Sequence, residues 1–344
     1  MSVVSDVRAS ATALGPWPGS DPAEAIRTIR GELGDPHLPF LPELPGRGVG
    51  SDATGRTGSL LVDLDIDVQP YGWRLVDRPG KDAQRARSAL STDINILADV
   101  AGAEDVSASE LKVQLMGPLS LAASLHLHNG ERALLDYGAR RDIAESLAAG
   151  VADHLRKVSA AVPGARIVVQ IDEPDIASVM AGTIPTASGY RTLRSIHGEE
   201  VTGAWRLVIE ALKSAGAVET VISVPEIEAP IDRILAAGAD GVAVPLKALT
   251  TRQWEQLAGA VEGGNRLWAG ALPTGEPRAL LPRTAEIVES IWKPWRQLGL
   301  PASGLAGLRV TPSTGLEDFT PKAAMEVLAK LTQVADGLDQ LAQG

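Results

Sequence analysis

The 344-residue sequence contains no cysteine, few aromatic residues and only five histidines. The absence of cysteine excludes disulfides, thiolate nucleophiles and every metal or cluster site with cysteine ligands. No apolar run reaches the roughly 18 residues that a membrane-spanning helix requires. Hydrophobic residues make up 44% of the chain and charged residues 22%. This balance is typical of a globular protein with a substantial core.

The sequence also lacks a basic stripe. Its formal net charge is -11, so there is no surface that would release counterions from a nucleic-acid backbone. Residues 1–13 are short and polar, and include Asp6 and Arg8, so they predict neither a signal peptide nor a membrane anchor. We therefore expect a cytoplasmic protein that binds a small molecule rather than nucleic acid or a membrane. A protein partner cannot be named from the sequence.

From about residue 111 onward, short runs of Val, Ile and Leu alternate with stretches of helical periodicity. This pattern is typical of repeated βα units around a parallel sheet. The predicted strands are residues 111–116, 166–171, 219–224, 241–244, 266–269 and 307–311. The predicted helices are residues 133–161, 199–215, 230–237, 251–261, 284–298 and 321–341. The alternation excludes an all-α or an all-β fold.

The region before residue 111 is less regular, although residues 12–14 and 71–76 supply two further strand candidates and bring the count to about eight. We therefore predict the α/β class and a single (β/α)8 TIM barrel domain over residues 1–344, with a loop-rich N-terminal extension. Residues 35–51 are crowded with Pro and Gly, and we expect a long loop over one mouth of the barrel. An open doubly wound sheet is the competing architecture, but no Gly-x-Gly-x-x-Gly turn or P-loop follows a predicted strand.

The most informative segment is residues 169–174, Val-Gln-Ile-Asp-Glu-Pro, which ends a predicted strand with two carboxylates. In a barrel this edge is where enzymes place their chemistry. Asp172 and Glu173 are therefore candidate catalytic residues that could bind an ammonium group or act as acid and base. Adjacent side chains on a strand point in opposite directions, so the two carboxylates need not act together. The alternative is that one of them caps a loop or pairs with an arginine.

Three further segments lie in a characteristic order along the chain. Residues 14–18 read Leu-Gly-Pro-Trp-Pro, residues 71–73 read Tyr-Gly-Trp, and residues 112–118 read Lys-Val-Gln-Leu-Met-Gly-Pro. With residues 169–174 they resemble landmarks of the catalytic half of cobalamin-independent methionine synthase, in the superfamily that also contains uroporphyrinogen decarboxylase. The resemblance implies a barrel fold. It also implies methyl transfer from a folate donor to a homocysteine-like thiol, a step of methionine biosynthesis and one-carbon metabolism.

The resemblance further implies a substrate site at the barrel mouth. Asp172 matches the family's aspartate that helps bind the amino acid substrate. A glutamate of the family's pocket is expected to survive only as Asp52. The substrate-binding residues predicted in this way are Gly15, Asp52, Trp73, Gly117 and Gln170. No cofactor is predicted, and a folate donor would enter as a substrate.

The zinc site of the family is missing from the sequence. In the family, His, Cys, Glu and Cys hold a zinc ion that lowers the pKa of the homocysteine thiol. Here the matching elements are residues 221–225, Val-Ile-Ser-Val-Pro, the position near Pro245, and residues 312–316, Pro-Ser-Thr-Gly-Leu. Hydroxyls and prolines do not replace thiolates and imidazole around zinc. We therefore predict no metal ligands.

Two other functions remain open. One is a metal-free, decarboxylase-like relative that binds an anionic substrate through arginines, with Arg47, Arg56 and Arg74 as candidates. The other is a catalytically silent barrel that binds a metabolite or a protein partner.

Two local motifs are weaker. His126 and His128 could be read as a metal pair, but residues two apart on a predicted helix do not share a face. Residues 311–315, Thr-Pro-Ser-Thr-Gly, resemble a phosphate-binding turn after a late barrel strand.

The predicted loss of all four ligands has a direct test. Purified protein should contain no stoichiometric zinc, because the sequence provides no thiolate at the expected positions. Elemental analysis by mass spectrometry measures this, and one zinc per chain would contradict the interpretation.

Overall fold

The computed structural model describes residues 7–105, 108–225, 228–275 and 281–344. Its main element is a curled parallel sheet of seven strands in the order β1-β9-β8-β7-β6-β5-β4. These strands are β1 (Ser10–Ala11), β4 (Glu110–Met116), β5 (Arg166–Asp172), β6 (Glu219–Ser223), β7 (Gly241–Pro245), β8 (Arg266–Leu272) and β9 (Arg309–Pro312). The six strands predicted after residue 110 are confirmed. The strand predicted at 12–14 was placed wrongly, because β1 ends at residue 11, immediately before it.

The strand predicted at residues 71–76 exists, but its place in the barrel was predicted wrongly. β3 (Gly72–Val76) pairs antiparallel with β2 (Asp65–Gln69) in a separate two-stranded sheet. The main sheet therefore has seven strands rather than eight in the described part of the chain. The expected partner of residues 71–76 was a barrel strand, whereas the actual partner is the preceding hairpin strand.

The two faces of the curled sheet bury different residues. Alternate residues of the strands, such as Val113 and Val169, belong to one large apolar core together with the helices. The residues between them point to the concave side, where five side chains from separate elements form a second, small apolar cluster. Its members are Leu38, Val168, Val221, Ala243 and Trp268. The contact among them shows how strongly the sheet is curled.

The predicted loop at residues 35–51 is only partly a loop. Residues 38–43 run extended between the two edge strands of the sheet. The Leu38 amide donates to Ala11 O of β1 at 2.9 Å, and the Leu41 amide donates to Lys112 O of β4 at 3.0 Å. Pro39 and Pro42 have no N–H to donate, which explains why the segment forms isolated bridges rather than a regular ladder.

Eleven α-helices are assigned in the described residues, and they pack around the sheet and hairpin. They are α1 (Pro22–Glu32), α2 (Ala53–Gly58), α3 (Lys81–Gly102), α4 (Pro118–Ser124), α5 (Tyr137–Ala161), α6 (Ile176–Ala181), α7 (Gly198–Ser214), α8 (Ile231–Ala236), α9 (Thr251–Glu262), α10 (Thr284–Gln297) and α11 (Pro321–Gln343). The six predicted helices are confirmed, with the predicted start at 133 being a short 3-10 turn before α5. Helices α1 and α3 were not predicted. None of the helices in the described ranges has the length and apolar character needed to cross a bilayer.

The lower end of the sheet, where the parallel strands begin, is filled by a buried ion network. The Arg309 guanidinium at the start of β9 lies 3.2 Å from Glu110 of β4 and 3.5 Å from Glu219 of β6. It also lies 5.0 Å from the Trp268 ring centroid. Only 2% of the Arg309 side chain is exposed. One side chain therefore joins three strands across the concave side of the sheet.

Substituting Arg309 with alanine should lower the free energy of unfolding by about 3 kcal/mol. The buried Glu219 and the partly exposed Glu110 would lose their shared buried cation and keep only their more exposed arginine partners. Arg166→Ala is a matched control: Arg166 pairs with the same Glu110, but its side chain is 63% exposed. Its loss should cost about 1 kcal/mol or less. Chemical denaturation of both variants measures the difference, and equal losses would contradict a structural role for the buried network.

Candidate functional site

Next to the small apolar cluster, β4 and β5 carry polar side chains on the concave side of the sheet. In β4 the residues Lys112 and Gln114 alternate with the core-facing Leu111, Val113 and Leu115. Because successive side chains on a strand point to opposite faces, both polar residues point inward. In β5, Gln170 and Asp172 follow the same alternation.

Lys112 lies at the centre of this polar region and is completely buried. Its Nζ donates to Gln170 Oε1 at 2.8 Å and to Gln114 Oε1 at 3.3 Å. It also lies 5.1 Å from the centroid of the Phe40 ring, on the extended segment. Burial lowers the pKa of Lys112 to about 7, although the nearby charge of Asp172 favours the ammonium form.

Gln170 joins Lys112 to Asp172. Its Oε1 accepts from the ammonium, so its Nε2 is left to donate to Asp172 Oδ1 at 2.7 Å and to Leu14 O at 2.7 Å. Ser223 at the end of β6 forms a further hydrogen bond with Asp172. Whereas Lys112 and Gln170 are fully buried, Asp172 is partly exposed. Asp172 is thus the end of the hydrogen-bonded chain that a ligand can reach.

The protonation of Asp172 is set by its surroundings. Burial raises the pKa of Asp172 to about 7, and the charge of Glu43 adds to this rise, whereas Lys112 opposes it. A carboxyl group with a pKa near the working pH can give or take a proton during catalysis. The cluster is therefore suited both to holding a cationic group and to proton transfer.

Glu43 is a member of the site that the sequence did not reveal. It ends the extended segment, is 4% exposed, and forms a hydrogen bond with the Gln114 side chain. Burial raises the pKa of Glu43, and the nearby Arg56 and Lys112 oppose that rise. The second carboxylate near Asp172 is thus Glu43, whereas Asp52 had been expected to fill the family's glutamate position. The sequence around Glu43, residues 35–51, predicted only a loop.

Gly15, which was predicted to bind substrate, lies against this cluster. Its φ is +127°, a conformation that L side chains rarely adopt. A Cβ atom at this position would lie 2.6 Å from Cδ of Gln114. Its carbonyl accepts the Glu43 amide at 3.0 Å. Gly15 therefore allows the chain after β1 to approach both Gln114 and Glu43, and no substrate contact is needed to explain it.

Glu173 and Gly117 form a separate pair on the other face of the sheet. The Glu173 carboxylate is fully buried and accepts from the amides of Leu119 and Ser120 at 3.1 and 2.8 Å, from Ser120 Oγ at 2.6 Å and from Trp205 Nε1 at 2.8 Å. A Cβ on Gly117 would collide with this carboxylate. The geometry indicates that Glu173 ties β5 to α4 and α7. Its neighbour Asp172 faces the interior.

Asp52 and Trp73 also lie together. Trp73 Nε1 donates to Asp52 Oδ1 at 3.0 Å, and the same oxygen accepts the Gly55 amide at 2.8 Å, which caps α2. The charge of Asp52 contributes to the raised pKa of Glu43, so this pair lies on the Glu43 side of the site. The seven predicted site residues thus fall into three groups, of which one, Gly15, Gln170 and Asp172, surrounds the buried Lys112.

Two of the three arginines proposed to bind an anionic substrate already form ion pairs within the protein. Arg47 and Arg56 each lie 2.5 Å from a carboxylate oxygen of the buried Asp93. Arg74 differs, because its Nε is buried without a hydrogen-bond partner among the described residues. Two of the three candidates therefore share one buried carboxylate, Asp93.

The histidine pair and the phosphate-binding turn find no support. His126 and His128 follow α4 rather than lying on it, because α4 ends at Ser124. In the predicted turn, the Ser313 amide donates to Leu272 O at 2.8 Å and the Thr314 amide to Thr274 Oγ1 at 3.0 Å. These two N–H groups are therefore not available to an anion.

The ends of β6 to β9 border a cavity of about 840 Å³. In the family expected from the sequence, zinc would be held at these strand ends. Here they present Pro225, Pro245, Ser313 and Thr314. The described residues contain no group of three or more His, Asp or Glu side chains able to hold a metal ion. The donor set at this position does not fit zinc.

Comparison with known proteins identifies the relatives of this chain. The family described as "Cobalamin-independent synthase, Catalytic domain" matches residues 9–337. A B12-independent methionine synthase from Shewanella sp. W3-18-1, solved in complex with selenomethionine, has a similar fold, with a TM-score of 0.60, 12% identity and coverage of 98% of both chains. A β-galactosidase from the psychrophilic Marinomonas ef1 is much less similar, with a TM-score of 0.31, 12% identity and coverage of 75% of this chain and 43% of that one. No curated protein matches the chain.

The raised pKa of Asp172 predicts a pH dependence of stability. The folded protein keeps a proton on Asp172 to a higher pH than the unfolded chain, so this group lowers the free energy of unfolding as the pH rises from about 4 to about 7. Asp172→Asn has no proton to lose. The stability of the variant relative to the wild type should therefore increase over this range.

Urea denaturation at several pH values between 4.5 and 7.5 measures this difference. Asp318→Asn, a change at an exposed position, serves as the control and should run parallel to the wild type. A difference between Asp172→Asn and the wild type that stays constant or shrinks with rising pH would show that the carboxyl group is not held protonated by burial.

Proposed function

The chain belongs to the cobalamin-independent synthase catalytic-domain family, and from this membership we propose that it binds a small amino acid or a similar amine at the strand ends without zinc. The ligand's ammonium group would lie at Asp172. We further propose that residues 38–43 occupy the position of an eighth strand, so that the sheet functions as a (β/α)8 barrel with one mouth.

The accessibility of Asp172 carries this proposal. The cluster contains two carboxylates, Asp172 and Glu43, and one buried ammonium, Lys112. Of these three groups only Asp172 is partly exposed. The pKa of Asp172 is raised to about 7, and a ligand ammonium beside this carboxyl group would favour its ionised form. The two charges would then pair in a site of low dielectric, where such a pairing is strong.

The fold relative supports an amino acid as the ligand. That methionine synthase was solved with selenomethionine bound. Selenomethionine carries the ammonium and carboxylate of any α-amino acid. Proposing the same class of ligand here requires an anionic group at the strand ends, which Asp172 provides.

We do not propose that this chain activates a thiol with zinc, as its family does. The strand ends that would hold the metal present hydroxyls and prolines, so they would not lower the pKa of a thiol as zinc does. If a methyl group is transferred, Asp172 and Lys112 are the groups that could manage the proton, because their pKa values both lie near 7. A folate donor would then bind as a substrate.

The two other functions differ in their support. A decarboxylase-like activity on an anionic substrate needs free arginines, and Arg47 and Arg56 are both engaged by Asp93. A catalytically silent barrel would share the ammonium site but lack turnover. The experiment below separates these cases.

Isothermal titration calorimetry with L-methionine and L-homocysteine tests the proposed function. Binding should weaken at least tenfold in Asp172→Asn, since a charge-assisted contact of about 1.5–3 kcal/mol is lost. It should persist in Asp318→Asn and in the presence of a metal chelator. Binding that is absent, or indifferent to Asp172→Asn, would reject the ammonium site.

Turnover is measured separately with homocysteine and methyl-tetrahydrofolate. Turnover that is lost in Asp172→Asn would establish an enzyme, whereas binding without turnover would establish the silent barrel for this pair of substrates. Turnover that a chelator abolishes would contradict the metal-free mechanism.

A further inference from the structure

The cavity at the ends of β6 to β9 is linked to the ammonium site through β6. Ser223 at the end of β6 bonds to Asp172, and Pro225, two residues farther along, lines the cavity. Pro245 and Gly270 continue the wall at the neighbouring strand ends, where they are paired in register. A ligand held at Asp172 would therefore reach this space by extending past Ser223 along the strand ends.

The wall of the cavity is mainly apolar. Its uncharged apolar lining consists of Pro225, Pro245, Leu246, Trp254, Ala271, Pro273, Pro282, Ile287 and Pro294. The prolines have no N–H to donate, so these stretches of wall offer few hydrogen bonds. Among the described residues of the lining, the two charged ones, Lys247 and Glu286, are exposed and thus belong to the rim.

The hydroxyl groups of Ser313 and Thr314, which line the cavity, are already hydrogen-bonded to Thr274. Thr274 Oγ1 lies 2.9 Å from Thr314 Oγ1, and the Thr274 amide donates to Ser313 Oγ at 3.0 Å. Both bonds join the chain after β8 to the chain after β9. Because these hydroxyls bond to each other, they do not demand a polar partner from a ligand.

The end of β8 is irregular where it lines this space. The register between β8 and β9 shifts between Gly270 and Leu272, as in a β-bulge, and Ala271 lies within the shift and lines the cavity. Bulges are common beside active sites, where they redirect side chains. A Cβ at Gly270 would lie 2.8 Å from Pro245 Cα, so this position admits no side chain.

We propose that the cavity binds an uncharged apolar side chain of a ligand whose ammonium group lies at Asp172. The substrate class would then be amines or α-amino acids with a sizeable apolar group, located where relatives hold a metal-bound thiol. This inference rests on the proposed function. A volume of about 840 Å³ is ample for such a group, because ligand pockets commonly measure about 300–1,000 Å³.

A series of L-amino acids tests the inference by calorimetry. Affinity should rise from L-alanine through L-norvaline to L-norleucine by about fourfold for each added methylene that is buried. L-Lysine has nearly the shape of L-norleucine but carries a charge at its end. It should bind at least tenfold more weakly than L-norleucine, because the apolar wall cannot pair that charge.

Two variants locate the effect in the cavity. Ala271→Phe should fill part of the space and weaken L-norleucine binding about tenfold or more, while Ala187→Phe, at an exposed position outside the lining, should leave it unchanged. If Ala271→Phe does not fold, Trp254→Ala provides the second test. It should reduce the advantage of L-norleucine over L-alanine by removing a wall of the cavity.

The outcomes separate this inference from the proposed function. A rise in affinity along the series that Ala271→Phe or Trp254→Ala removes supports both. Binding that depends on Asp172 but is equal for L-alanine, L-norleucine and L-lysine overturns the apolar cavity and leaves the ammonium site intact. If none of the amino acids binds, or Asp172→Asn has no effect, the proposed function fails and the inference with it.

Discussion

Lys112 carries its amino group into the interior of a curled sheet, and the rest of the site is arranged around that charge. An ion removed from water costs several kcal/mol unless its neighbours replace the lost hydration. Gln114 and Gln170 do so with their side-chain oxygens. Once Gln170 has turned its oxygen to the ammonium, its nitrogen must face the other way and donate. The desolvation of one lysine thus orients an amide, and the amide fixes the position of the Asp172 carboxylate at the entrance.

A strand could be predicted from the sequence when the residues that determine it lie within one short segment. Its partner could not, because pairing depends on residues elsewhere in the chain. The six strands after residue 110 were predicted correctly because strands buried on both faces read as continuous apolar runs. Residues 71–76 were recognised as a strand but given the wrong partner, since pairing depends on residues 65–69, which carry no comparable apolar run. Residues 38–43 were missed because Pro39 and Pro42 suppress the strand pattern, although the backbone between them bonds to both edges of the sheet.

The residues of the candidate site could likewise be predicted only where a short segment of sequence carries a motif or an alternation of polar and apolar residues. Asp172 was found through its motif, and the rule that neighbours on a strand face opposite ways was sufficient to suggest that Glu173 has a different environment. Lys112 and Gln114 could have been found from the alternation of polar and apolar residues in β4, because a parallel strand buried on both faces usually reads as a continuous apolar run. Glu43 gave no such signal, because its approach to Asp172 is created by tertiary contacts of an irregular segment.

The ion network around Arg309 has a consequence for exchange with solvent. The side chains of Arg309, Glu110, Glu219 and Trp268 fill the lower end of the sheet. A molecule that reaches Asp172 from above would meet a closed floor. A ligand at Asp172 would then have to leave by the strand ends through which it entered.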